Sequence, residues 1–345
     1  MILIVILGIL ILIVGHEFGH FISAKLLKMK VEEFGVGLPP KIFGKKKGGT
    51  LYSINALPLG GFVRIYGESE PQAEDNEAFL NKPFWQKTIV VLSGIVMNFV
   101  LAWIFFSLVL MIGMPNHLMV SQVIQNSPAY EAGIKSGDVI QKITIGNVTL
   151  TDPIDPEAFV NLVKNSPEKN VSLEITRKNE KLSIELKKKE VYSSESGYLG
   201  IAVAQIGTTQ ENFFAALWHG MQESVDLVIL MFQTLIALLI GIFHHQNALS
   251  GLSGPLGIVA FASQSSFLGV SYLFQILGLV SINLAVINIL PIPAFDGGRF
   301  LFFLIEKIKG KKISFKIQNA MIGVSFVLLL ILMVFVTLQD IKNFL

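Results

Sequence analysis

The sequence contains no cysteine. That excludes disulfides and thiolate metal sites, so any metal must be held by histidine and carboxylate. Charge is scarce too: 15% of the 345 residues are Asp, Glu, Lys or Arg, against 52% hydrophobic and a mean hydropathy of +0.61. A single soluble domain does not have that balance, whereas a polytopic membrane protein with one soluble insert does. The net charge of +2 is too small to suggest nucleic acid as a partner. No Lys or Arg precedes Lys25. Without a basic n-region, Met1–Ile22 does not read as a cleavable signal peptide.

What the first stretch has instead is Gly15-His16-Glu17-Phe18-Gly19-His20 at the end of an apolar run. His16 and His20 are four residues apart, so on a helix they share a face where two imidazoles can bind one metal ion. Glu17 beside them can take a proton from an activated water. Ionisable residues inside an apolar helix are costly and default to a functional reading. The competing reading is a chance match of the pattern.

Taken in order, the chain reads as a first span over 1–24 and a lysine-bearing loop over 25–86, then a second span over 87–112. A soluble domain over 116–205 follows, then an interfacial, amphipathic region over 206–271. A third span over 272–290 leads into a loop carrying Asp296, a second basic loop over 291–319 and a fourth span over 320–338. Lys25, Lys28, Lys30, Lys41 and Lys45–Lys47, and later Lys307–Lys316, put both basic loops in the cytoplasm and the soluble domain on the opposite face. Within 25–86, Gly35, Gly37, Pro39 and Pro40 break any helix. Thr50–Ile54 and Phe62–Tyr66 have strand composition, so a small membrane-associated sheet is expected. Such a sheet could hold an extended peptide by strand addition. Glu68–Glu77 reads as an acidic surface loop. In span two, Gly94 suits close helix packing and Asn98 needs a polar partner in a low-dielectric setting, a substrate segment being one candidate.

In Phe213–Phe243 the apolar part, Leu227–Ile242, is short for a span and follows Trp218, His219, Gln222, Glu223 and Asp226, which favours the membrane interface. His244 and His245 point to different faces of a helix and read as an interfacial cluster. Parity supports that placement. If Leu227–Ile242 crossed fully, span three would run the other way and Asp296 would sit across the membrane from His16.

Ser127–Ile140 resembles the helix-then-strand signature of a PDZ domain, with Asp155–Lys164 as groove helix and a hairpin of 171–175 and 182–186 turning at Lys178-Asn179-Glu180. Tyr198, Leu199, Gly200 and Ile201 resemble that family's carboxylate-binding loop, placed last as in the circularly permuted bacterial form. Peptide C-termini are the implied ligands.

Together, His16–His20, the stretch Asn288-Ile289-Leu290-Pro291-Ile292-Pro293-Ala294-Phe295-Asp296-Gly297 and the PDZ-like block resemble the site-2 protease family of intramembrane zinc metalloproteases, over nearly the whole chain. Gly254–Ile258 also resembles a motif of that family. The resemblance implies a polytopic α-helical protein of four transmembrane helices, with a membrane-associated β-sheet and an inserted α+β PDZ domain, in a bacterial inner membrane. It implies Zn2+ on His16, His20 and Asp296, Glu17 as general base, and Asn288, with Asn283 beside it, holding the substrate. Asn98 is grouped with these as a candidate for substrate contact. The implied partners are the lipid bilayer and membrane-spanning clients such as anti-sigma factors or signal-peptide remnants, with the PDZ domain gating access. Well-known envelope-stress members carry two tandem PDZ domains, while this chain has room for one. Two other classes compete. A metal-binding or transport protein would leave Glu17 without a task, and a non-catalytic PDZ adaptor would not need Asp296 in register with the histidines.

Overall fold

The computed structural model describes residues 2–68, 75–177, 180–189, 197–243 and 269–344. The expected turn residues Lys178 and Asn179, the centre of the acidic loop at 69–74, His244 and His245, and Gly254–Ile258 lie outside the described residues. The chain divides into two compact units. A helical unit comprises Ile2–Phe106, Leu217–Ile258 and Gln275–Leu345, and a sheet unit is built mainly from Ser107–Ala216.

In the helical unit, α1 (Ile2–Leu26) has an unbroken apolar run up to its histidines. At 1.5 Å per residue its 25 residues exceed the ~30 Å of a bilayer core. Among the described residues, four segments are long and apolar enough to cross a membrane: Leu7–Leu26, Phe84–Ile112, Val270–Ile289 and Phe315–Val334. They belong to α1, α2 (Phe84–Ile112), α6 (Val270–Ile289) and α8 (Phe315–Phe344). Alpha-helix α5 (Phe213–Phe243) and the shorter α7 (Asp296–Lys309) complete the set. Hydroxyl hydrogen bonds link these helices. Ser23 Oγ meets Ser93 Oγ at 2.8 Å between α1 and α2, and Ser281 Oγ donates to Asn98 O at 2.7 Å between α6 and α2. Such bonds hold helices together where no water competes. One stripe of α5 (Leu227, Val228, Met231, Phe232, Leu235) packs on Ala102, Phe106, Ile282 and Val286, while Gln222 and Asp226 stay exposed.

The loop after α1 forms two long strands, β1 (Val31–Lys47) and β2 (Thr50–Ile65), turning at Gly48-Gly49, both with positive φ. Their register folds back on itself, so Phe34 lies opposite both Val63 and Tyr52. Phe21 of α1 packs against Phe34 and Tyr52, with ring centroids 5.2 and 5.9 Å away, and seats the sheet on the helix. Below it Ala24, Met29, Val31, Ile65, Phe79, Val90, Val91 and Phe303 form one buried cluster joining α1, both strands, α2 and α7. That cluster fixes the end of α1 where the histidines sit.

Among the described residues, the sheet unit holds six strands in the order β7-β6-β4-β3-β8, with β5 paired to β4. They are β3 (Met114–Val123), β4 (Val139–Ile145), β5 (Val148–Thr151), β6 (Asn170–Arg177), β7 (Glu180–Lys187) and β8 (Ile201–Thr208). The short α3 (Pro128–Glu131) and α4 (Pro156–Asn165) start on Ser127 and Asp155 caps, each followed by proline at the first turn. Leu118, Ile140, Ile143, Leu173 and Ile175 are fully or almost fully buried against Phe159 of α4. Asp138, 1% exposed, accepts from Arg177 Nε and Nη2, both at 2.6 Å, and from Lys135 N at 2.8 Å. The hydrogen bonds to Asp138 raise the Arg177 guanidinium above its ordinary value.

Candidate metal centre

Helical spacing puts His16 and His20 on one face of α1, and a tight turn brings Asp296 to them. Helix α6 ends at Ile289, and Ile292 N and Phe295 N donate to Leu290 O and Ile292 O as the chain reverses. A Cβ on Gly297 would collide with the carbonyls of Ile289 and Leu290, and one on Gly298 with that of Ile292. Two glycines in a row therefore let α7 begin directly on the end of α6. Asp296 becomes the first residue of α7, where the helix dipole favours an anion.

The three side chains converge. Asp296 Oδ2 lies 3.1 Å from His16 Nε2 and 3.3 Å from His20 Nε2, and the two Nε2 atoms are 3.1 Å apart. A tetrahedral zinc ion with ligands at about 2.0–2.1 Å needs them about 3.3–3.4 Å apart, so the triangle has the right size. The proton positions point the same way. His20 Nδ1 is 2.8 Å from Val90 O and must carry the ring proton to donate to it, which leaves Nε2 a lone pair. In neutral rings the centre then gathers lone pairs with nothing between them, and Asp296 Oδ2 is buried without a hydrogen-bond partner. A cation removes that conflict.

Helix α2 completes the frame. Asn98, fully buried, places its amide 3.1 Å from His16 Nδ1. A metal held on Nε2 would leave the His16 proton on Nδ1, where the Asn98 amide, with its oxygen assigned toward the ring, would accept it. A Cβ on Gly94 would come within 2.5–2.6 Å of both imidazoles, so a glycine is required where α2 passes the centre. Glu17 lines the same cavity of about 320 Å³ as His16, His20, Asp296, Asn288 and Arg299, and Phe62 and Val63 of β2 line it too. The strand runs close: a Cβ on Gly61 would touch Glu17 Cγ at 3.4 Å. Asn283, half-buried on α6, is not on that wall.

The sequence therefore brings out His16, Glu17, His20, Asp296 and Asn288, and the structure gathers all five at one cavity. It misses the imidazole contact of Gly94, the histidine partner of Asn98, and Arg299. The last of these carries only the weak signal of lying one helical turn beyond Asp296. In the sheet unit, Tyr198, Leu199 and Ile201 line a separate small cavity of about 110 Å³ with Phe159, Val160 and Val163 of α4. Gly200 (φ +80) backs onto Ser127, and its carbonyl accepts from Ile124 N at 2.9 Å.

The model of peptidase family M50 matches residues 4–332. The chain belongs to this family. Among its relatives, the zinc-metalloprotease homologue CPE1693 of Clostridium perfringens (strain 13 / Type A) is 37% identical, covering 96% of this chain and 95% of its own. The regulator of sigma-W protease RasP of Bacillus subtilis (strain 168) is 30% identical, covering 96% of each chain. The zinc metalloprotease RasP of Bacillus licheniformis is 28% identical with the same coverage. M50 membership makes this chain a membrane-embedded zinc metalloprotease of the site-2 protease type. The histidine–carboxylate donor set, the only kind open to a chain without cysteine, fits zinc.

Proposed function

We propose that this M50 protease hydrolyses peptide bonds in the transmembrane segments of membrane proteins, with zinc held by His16, His20 and Asp296 and Glu17 as general base. The observation that carries the reading is the 3.1–3.3 Å triangle of lone-pair atoms at the end of an apolar helix, with Glu17 on the wall of the same cavity. A zinc ion held there would supply the Lewis acidity that lowers the pKa of a water molecule and polarises a peptide carbonyl. Glu17 takes the proton of the attacking water and returns it to the leaving amine. Asn98 and Val90 hold the two imidazoles in the tautomer that leaves Nε2 for the metal, so Asn98 serves the centre rather than the substrate. Asn288 holds the substrate backbone from the cavity wall. Because a helix hides its carbonyls in hydrogen bonds, the client must unwind to be cut. β2 runs beside Glu17 and offers unwound chain a strand to pair with.

In this reading both lysine-rich loops are cytoplasmic, the metal centre lies near that face, and residues 116–205 lie outside the bacterial inner membrane. Asp296 meets α1 at its C-terminal end, so α6 runs parallel to α1. The connection between β8 and α6 therefore starts and ends on the same face, which supports an interfacial or re-entrant α5. The relative named regulator of sigma-W protease directs attention to membrane-bound regulators such as anti-sigma factors, and signal-peptide remnants offer the same chemistry. The sheet unit acts as a PDZ domain that filters clients by extracytoplasmic size. Binding of tails at Tyr198, Leu199, Gly200 and Ile201 is secondary.

Reconstitution with a trimmed single-span client tests this. Cleavage should map inside the apolar segment, stop with a zinc chelator and return with zinc, whereas cleavage confined to soluble flanks contradicts the reading. Replacing 116–203 by a short linker should leave the trimmed client cleaved and newly admit an untrimmed one. A zinc-loaded deletion that cleaves neither makes the domain an activator rather than a filter.

A further inference from the structure

Arg299 has no task in the metal centre as described, yet it stands at it. It follows Asp296 by three residues on α7, so the two side chains share a face of the helix. It lines the same cavity as His16, Glu17 and His20. Among the described residues of that wall it is the one lysine or arginine, facing the carboxylates of Glu17, Glu68 and Asp296. Its Nη1 donates to Glu68 Oε1 at 2.7 Å, and Glu68 is itself anchored where β2 ends, its N–H donating to Ile65 O at 3.2 Å. That bond uses one of five guanidinium donors.

Hydrolysis of a peptide places negative charge on the carbonyl oxygen, in a cavity where Arg299 stands among the carboxylates of Glu17, Glu68 and Asp296, the metal-directed imidazoles of His16 and His20, the amide of Asn288 and apolar side chains. Preorganised donors aimed at that charge are usually the largest single contribution to catalysis. We propose that Arg299, oriented by Glu68, is a catalytic residue that donates a hydrogen bond to the scissile carbonyl oxygen as it becomes anionic. This rests on the peptide hydrolysis assigned above. The water oxygen bonds to the carbonyl carbon, Glu17 accepts its proton, and the carbonyl π pair moves to the oxygen facing Arg299. On collapse that pair re-forms the C=O bond, the C–N bond breaks, and the amine leaves with the proton from Glu17. Arg299 keeps its own protons throughout. The competing reading is a structural latch between the end of β2 and α7, which would act equally on substrate and transition state.

A phosphinic peptide separates the two, because it carries the tetrahedral anion that the substrate lacks. Arg299→Gln should keep zinc stoichiometry and KM. It should lower kcat roughly 10²–10³-fold and weaken the phosphinic peptide by a matching factor. Unchanged affinity for that peptide, or a raised KM at unchanged kcat, overturns the proposal. Should the variant not retain zinc, the wild-type protein answers instead. Arg64, Arg177 and Arg299 are the arginines of the chain, so phenylglyoxal labelling can be followed at each by mass spectrometry. Saturating phosphinic peptide should shield Arg299 and spare neither of the other two from labelling. Equal labelling of Arg299 with and without it overturns the proposal while cleavage by the same sample upholds the protease reading. A wild-type sample that neither cleaves nor binds the phosphinic peptide overturns both.

Discussion

Two buried aspartates, one in each unit, face the same problem and solve it differently. Asp138 of the sheet unit is 1% exposed and carries its own counter-charge, the forked guanidinium of Arg177 at 2.6 Å. Asp296 of the helical unit is 9% exposed and has two imidazoles beside it, neither a permanent cation. An uncompensated buried carboxylate is costly in either setting. The sheet unit answers with a residue of the chain, so its aspartate is structural. In the proposed function the helical unit leaves that task to a zinc ion, which makes its aspartate available for chemistry. What distinguishes a functional buried charge here is a partner missing from the sequence.

That contrast can be broken most severely at Gly94. A leucine there would drive its side chain into both imidazoles, and zinc affinity should fall at least about 100-fold. Competition against a chelating dye measures it, and normal zinc binding would show that α2 does not shape the centre. Asn98→Ala comes next. Losing the amide that orients His16 should weaken zinc by roughly 10–100-fold in the same assay while leaving the helices packed. A variant with native zinc affinity but raised KM would return Asn98 to the role of substrate contact.

The smallest effect on the metal should come from the other aspartate. Arg177→Ala strands a buried carboxylate and should destabilise the sheet unit by roughly 3 kcal/mol, read by hydrogen exchange over residues 114–208. Zinc binding should not change. Loss of zinc in that variant would mean that the two units do not stand separately.

How much of this was legible in the sequence depends on the range of the contact. His16, Glu17 and His20 lie within one helical turn and a half, so spacing alone displays them. Asp296 was legible because prolines and paired glycines announce a broken helix, although nothing local says that it faces α1. Gly94, Asn98 and the Arg299–Glu68 pair were not legible as parts of the site. Their partners come from other helices and strands, and a glycine that seats an imidazole looks like any packing glycine. The glycines and prolines at 35–40 read as interruptions, yet they lie within β1, because the register there folds back and permits bends that a flat ladder would not. In α5 the sequence sets the apolar part, Leu227–Ile242, apart from the polar residues before it. The helix nevertheless runs from Phe213, since Gln222 and Asp226 fall outside the stripe that packs on α2 and α6.

The most direct test of the account is Glu17→Gln, assayed for bound zinc and for cleavage in one preparation. Glutamine preserves the shape of the side chain and leaves His16, His20 and Asp296 untouched, but it cannot accept the proton of the attacking water. The variant should hold one zinc per chain, as the wild type should, with kcat lower by roughly 10²–10⁴-fold. Full cleavage by the zinc-loaded variant would contradict it.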